Sequence, residues 1–193
     1  MTEVEYRAVE LDSSELRAGQ GESIGQIAGY AIVWDTPSTN LPFVEVIQSG
    51  ALDGVDLSKV LALYDHDFAN VLGRVDSGTL KLDIDNHGLH FTLDIPDTTL
   101  GHDVYTQIKN GNLSGLSFRF TIADGGESWK NVNGKPVRYI SKIATMREIS
   151  IVSVPAYDDT SVEVTRSFKE FTKQSQYKAK VLSILPTFEI DIG

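Results

Sequence analysis

No cysteine occurs among the 193 residues, which removes disulfide frameworks, thiolate metal sites and cysteine nucleophiles at once. No run approaches the roughly 18 apolar residues of a membrane span, so no membrane partner is expected. The acidic opening Met1-Thr2-Glu3-Val4-Glu5 lacks the basic-then-apolar order of a signal peptide. Basic residues are scarce: 17 Lys and Arg stand against 27 Asp and Glu, a formal net charge of -10. Such a chain repels phosphate backbones, and its one basic cluster, residues 169–180, is weak, so no nucleic-acid partner is expected. These absences point to a soluble intracellular protein long enough to bury a core of its own.

What remains reads mostly as strand. Residues 79–85 and 89–95 alternate apolar and polar strictly around the turn Asp85-Asn86-His87-Gly88, the pattern of a hairpin. Residues 4–11, 27–34, 71–75, 116–122, 137–143 and 149–154 complete the strand set. Leu100, Val104 and Ile108 recur at helical spacing, with Thr98 or Thr99 to cap the start and Asn110-Gly111 to end it. A second short helix is expected over 49–58. The polar, glycine-rich stretch 124–135 reads as an exposed mobile loop. The strand pattern stops near Val164. Residues 167–193 are first Lys-rich and polar with little apolar periodicity, then apolar, and read as a tail. The fold class is mainly β with a few helices (α+β), which predicts a closed or nearly closed β-barrel with peripheral helices.

Serine needs a neighbouring base to act as a nucleophile at neutral pH. Ser117 lies in the alternating run Leu116-Ser117-Phe118-Arg119-Phe120, facing away from its apolar neighbours. It is either a nucleophile or a small polar residue on a solvent face, and Ser114 is close by. His66, between Asp65 and Asp67, follows the apolar run Val60-Leu61-Ala62-Leu63. It suits a general base, since an unperturbed imidazole titrates near neutrality, or a surface histidine paired with its neighbours. Glu148 precedes the strand 149–154, where it can orient a histidine through the second ring nitrogen or pair with Arg147. His87 and His90 invite a metal-pair reading, but strand positions three apart point to opposite faces, and no metal or cofactor is expected. His102 reads as a surface residue.

Taken in order, these segments resemble the tailed-phage prohead protease family, capsid-maturation serine proteases related to herpesvirus assemblin. The likeness runs over roughly residues 5–166. It rests on Ile27-Ala28-Gly29-Tyr30-Ala31 leading to Trp34, Glu45-Val46-Ile47 before Gly50-Ala51-Leu52, His66-Asp67, and Val71-Leu72-Gly73-Arg74. It continues through Leu93-Asp94-Ile95-Pro96-Asp97-Thr98, Gly111 to Phe118, Trp129, Arg147 to Val152 and Pro155-Ala156-Tyr157. The resemblance implies an assemblin-like barrel and a serine endopeptidase with Ser117 as nucleophile, His66 as base and Glu148 as acidic third member, Asp65 and His87 being its reserves. Where the family usually carries glycine between two phenylalanines, this chain has Arg119, which alters the surroundings of the nucleophile or helps to hold developing negative charge. The implied substrates are the scaffold or the scaffolding segment of the major capsid protein, and the chain itself, cut inside the immature prohead in the host cytoplasm. A homo-oligomer is compatible with this. The implied domain plan is a barrel over 1–166 and a C-terminal tail over 167–193, self-cleaved or docking. The rival reading is a non-catalytic internal scaffold that binds capsid subunits, a role with no need of the His66/Ser117 pair.

Overall fold

The computed structural model describes residues 3–11, 16–18, 23–38, 41, 43–153 and 162–184. Two compact units divide the chain, Met1–Thr160 and Ser161–Gly193. The first contains β1 (Val4–Glu10), β2 (Arg17–Ala18), β3 (Ser23–Val33), β4 (Val44–Ile47), β5 (Leu61–Tyr64), β6 (Asp67–Arg74), β7 (Leu80–Ile84) and β8 (Gly88–Pro96). These are followed by α1 (Thr99–Lys109), β9 (Gly115–Ile122), β10 (Glu127–Val132), β11 (Lys135–Ile140) and β12 (Ile143–Val152). The second contains the 23-residue helix α2 (Val162–Ile184).

Strand order is β1-β9-β12-β5-β6 in a five-stranded sheet, β10-β11-β4 in a three-stranded sheet and β2-β3-β8-β7 in a four-stranded sheet. The β12–β5 and β11–β4 pairs are parallel and the others antiparallel. The architecture is therefore α+β and mainly β, but the expected closed or nearly closed barrel is not formed. Among the described residues β1 pairs only with β9 and β6 only with β5, so the five-stranded sheet keeps two open edges. Alternation in a sequence fixes which face of a strand is buried. It does not fix which edges meet.

Period-two alternation makes β9 a two-faced strand. Leu116, Phe118 and Phe120 enter the core with Ile149 and Ile151 of β12 and Ala62 of β5. Against them pack Ile27 and Ala31 of β3, Phe91, Leu93 and Ile95 of β8, and Val104 and Ile108 of α1. Burying each of the larger side chains among them, the alanines aside, contributes on the order of 1.5–3 kcal/mol. The expected hairpin forms as β7 and β8, and Asp85 closes its turn by accepting from the backbone N–H groups of His87 and Gly88.

Helix α1 starts where the sequence places it. The Thr98 hydroxyl accepts from Gly101 N at 3.0 Å, and Gly111 follows the C-cap with φ 75°. A Cβ on Gly101 would lie 2.1 Å from the Pro96 carbonyl oxygen. Gly→Ala ordinarily stabilises a helix by about 1 kcal/mol. Here Gly101→Ala is expected to destabilise by about 1–3 kcal/mol through overpacking, measured by urea unfolding; a gain in stability would refute that contact.

Two other expectations are corrected. Residues 49–58 form turns rather than a helix. The stretch 124–135, expected as a loop, supplies β10 and the start of β11, joined by Asn133-Gly134 with φ of 53° and 80°. Both values are positive, as a tight hairpin turn requires, and Asn-Gly was its signal. The tail is helical to Ile184: residues 169–180 are rich in Lys, Gln, Glu and Ala, good helix formers, and Phe168, Phe171, Thr172 and Ser175 share a half-buried stripe. The helix runs through the 166/167 boundary. Val154, the Pro155-Ala156-Tyr157 motif and the apolar residues 185–192 lie outside the described residues.

Charge is also buried in this unit. Arg7 of β1 and Arg138 of β11 share the carboxylates of Glu5 and Glu45, with Arg7 Nη2 at 2.7 Å from Glu45 and Arg138 Nη1 at 2.7 Å from Glu5. Arg138 Nε also donates to Glu127 at 2.6 Å. This cluster joins β1 of the five-stranded sheet to the three-stranded sheet.

Candidate active site

The core-averted face of the five-stranded sheet carries the polar side chains. Strand pairing places Ala8, Ser117, Ser150 and Leu63 in one row across β1, β9, β12 and β5, and Tyr6, Arg119, Glu148 and Leu61 in the next. Directly opposed residues share a face, so Ser117, Arg119, Glu148 and Ser150 stand together.

Two local devices aim the side chains. The first is the turn between β5 and β6, where Tyr64 pairs with Asp67 and leaves only Asp65 and His66 to reverse the chain. Their φ angles are 55° and 58°, the left-handed pair of a two-residue hairpin turn that usually recruits Asn and Gly. A histidine in that conformation is strained; its N-terminal neighbour is tied down as Asp65 N donates to Ile151 O at 3.0 Å. The second device is a bulge in β12. Met146 opposes Phe120 while Glu148 opposes Arg119, so Arg147 is an extra residue. The bulge lets Met146 point to the core and Glu148 to the opposite face; unbroken alternation would put both on one side.

His66 Nδ1 lies 2.7 Å from Glu148 Oε1, with Glu148 wholly buried and the imidazole one-quarter exposed. An ionised carboxylate only accepts, so the hydrogen is assigned to Nδ1, which leaves the Nε2 lone pair free to take a proton. Ser150 Oγ donates to the other Glu148 oxygen, Oε2. The Tyr6 ring meets the imidazole edge-on, centroids 4.8 Å apart. The Ser117 hydroxyl and His66 Nε2 are both buried, and neither has a hydrogen-bond partner. They are therefore not bonded to each other here; such bonds often tighten only once substrate is bound. Ser117 has no exposed surface, whereas Ser114, before β9, is exposed.

Of the residues singled out in the sequence, His66 and Glu148 are in contact and Ser117 shares their sheet face. Arg147 and Glu148 are not paired. His87 and His90 both lie against the Tyr30 ring, at 4.5 and 5.0 Å between centroids, in the four-stranded sheet and its turn. His102 bonds Asp97 at 2.9 Å on the surface. Among the described residues no three side chains are grouped as metal ligands. Sequence reasoning missed Ser150 and Tyr6. Ser150 was within reach, because two residues beyond Glu148 on a strand means the same face. Tyr6 comes from β1, far from His66 in the chain, and only strand pairing brings the two rings together.

The chain matches the caudovirus prohead serine protease family over residues 8–174. Among solved structures it is similar to the bacteriophage T4 capsid assembly protease gp21, with TM-score 0.51 and 11% identity over 77% of this chain and 96% of that one. No curated protein matches it by sequence.

Proposed function

As this chain belongs to the caudovirus prohead serine protease family, and so is a phage prohead protease, we propose that Ser117 is its nucleophile, His66 its general base and Glu148 the carboxylate that orients the base. The observation that carries this assignment is the 2.7 Å contact of His66 Nδ1 with Glu148, on the sheet face where Ser117 stands. As Ser117 Oγ attacks a peptide carbonyl, its proton passes to His66 Nε2. The imidazolium that forms is stabilised by the buried Glu148 carboxylate, which Ser150 holds by its second oxygen. The proton then goes to the leaving amine, and water, activated by the same imidazole, releases the acyl group. The site is closed in this structure, since Ser117 is fully buried, so a substrate must displace what covers it.

The substrates in this reading are the scaffold and the scaffolding segment of the major capsid protein, met inside the immature prohead in the host cell. The chain also trims its own C-terminal segment from the protease domain, residues 1–166. Backbone within α2 is hydrogen-bonded, so cutting there requires local unfolding. The test is co-expression with the major capsid protein, followed by intact-mass measurement of both chains. Shortening of either one by the wild type, and not by Ser117→Ala, supports the proposal. Unchanged masses for both proteins would remove the substrate assignment.

Glu148→Gln is expected to lower turnover by roughly 10²–10⁴-fold, because an amide favours the wrong imidazole tautomer. Ser150→Ala, which removes one hydrogen bond to that carboxylate, is expected to lower turnover by only about tenfold. A larger loss for Ser150→Ala than for Glu148→Gln would make Ser150 a primary residue.

A further inference from the structure

Beyond Ser117 on the same face of β9 lies a pocket of about 320 Å³ lined by Val4, Arg119, Phe120, Thr121, Thr145 and Arg147. Val4, Thr121 and Thr145 form the row after that of Arg119 and Glu148. The pocket thus begins two residues along the strand from the nucleophile, about 6.6 Å at a strand's rise per residue.

Its charge is positive and unneutralised. Arg7, Arg74 and Arg138 each bind a carboxylate. Among the described residues Arg119 and Arg147 have none, in a chain with ten more acidic than basic residues (27 against 17). The Arg119 guanidinium lies over two rings, 5.7 Å from the Tyr6 centroid and 5.6 Å from that of Phe68. Such contacts hold the cation by its charge and use none of its N–H donors, which stay available to a ligand. Its Nε is buried without an acceptor, and a buried donor ordinarily has one. On the far wall Thr121 Oγ1 and Thr145 Oγ1 are 2.8 Å apart. Two hydroxyls joined by one bond keep one hydrogen free to donate. Arg147 is exposed and is the extra residue of the bulge that aims Glu148.

We propose that this pocket is a substrate subsite for an acidic side chain, whose carboxylate is held by Arg119 and Arg147 within about two residues of the scissile bond. The inference rests on the reading of Ser117 as nucleophile. A planar acceptor with two oxygens suits the guanidinium edge, and an uncharged amide leaves both cations uncompensated, so the site discriminates Glu from Gln.

The test is cleavage of a proteome-derived peptide library by the wild type, Arg119→Gln, Arg147→Gln and Ser117→Ala, read by mass spectrometry. Synthetic peptide pairs with Glu or Gln at the enriched position then give kcat and KM. The wild type is expected to enrich Asp or Glu at one fixed position near the cut and to prefer Glu over Gln by about tenfold or more in kcat/KM. Either arginine variant should bring that ratio down to about 1–3. Arg147 is exposed, so its variant tests the site even if Arg119→Gln folds poorly. Cleavage with no acidic preference, or a preference unchanged in both variants, overturns the subsite and leaves the nucleophile standing. No cleavage by the wild type above the Ser117→Ala background overturns both.

Discussion

Ser117→Ala is expected to abolish cleavage and, at the same time, to leave the fold as stable as before or more so. Loss of the nucleophile or of its base costs on the order of 10³-fold or more in turnover where the two act as a unit, and His66→Ala should match it. The stability half follows from burial. The Ser117 hydroxyl is fully enclosed with no hydrogen-bond partner, and an unsatisfied buried hydroxyl is destabilising by about 1–3 kcal/mol. Replacing it with a methyl group removes that penalty with little change of volume, so the midpoint of urea unfolding should stay the same or rise. His66→Ala differs here, because it strips the buried Glu148 of one of its two partners and should lower stability. Ser114→Ala should retain most activity, as Ser114 is exposed and precedes β9. If Ser114→Ala is inactive while Ser117→Ala still cuts, the nucleophile is wrongly assigned. If Ser117→Ala is inactive but unfolded, the buried hydroxyl is not a destabilising group.

The parts of this site that could be read in the sequence are those set by single strands. Alternation of Leu116, Phe118 and Phe120 is enough to turn Ser117 and Arg119 away from the core. The parts that could not be read depend on register. Whether Glu148 meets His66 is decided by the parallel pairing of β12 with β5 and by the bulge at Arg147; neither has a local signature, since a bulge is a mismatch between two strands. The same limit explains the barrel. The apolar periodicity of β1 and β6 is compatible with closure, and only the observed pairing leaves them as edges. The β10–β11 hairpin was hidden for another reason. Glu-Ser-Trp-Lys-Asn-Val is a largely polar strand, and the polar, glycine-rich composition of 124–135 hides its turn signal Asn133-Gly134. Helix α2 was masked by sparse apolar residues, although Phe168 and Phe171 already mark one face.

Least legible was the buried charge, and Arg138→Met probes it. The substitution leaves Glu5 and Glu45, 5% and 2% exposed, to share Arg7 alone. Removing one partner of a buried ion cluster typically costs about 3–5 kcal/mol, against a total stability of about 5–15 kcal/mol, so a large fall in the urea midpoint at pH 7 is expected. The pH dependence carries a sign that distinguishes charge from packing. In the wild type, burial pushes the Glu5 carboxyl up, but the hydrogen bond and charge of Arg138, together with Arg7, outweigh it and hold Glu5 below its ordinary value of 4.5. A carboxyl depressed on folding contributes stability above its unfolded value, and that contribution is lost as the pH falls from about 4.5 through the lower folded value. Without Arg138 only Arg7 offsets the effect of burial, so the Glu5 carboxyl moves up from its wild-type position. The less a carboxyl is depressed on folding, the less stability acid removes through it. The stability gap between wild type and Arg138→Met should therefore narrow as the pH is lowered from 7 through 4.5 and below. Urea unfolding of both proteins across that range measures it. A gap below about 1 kcal/mol at pH 7, or one that widens on acidification, would show that the cluster does not hold β1 to the three-stranded sheet by charge.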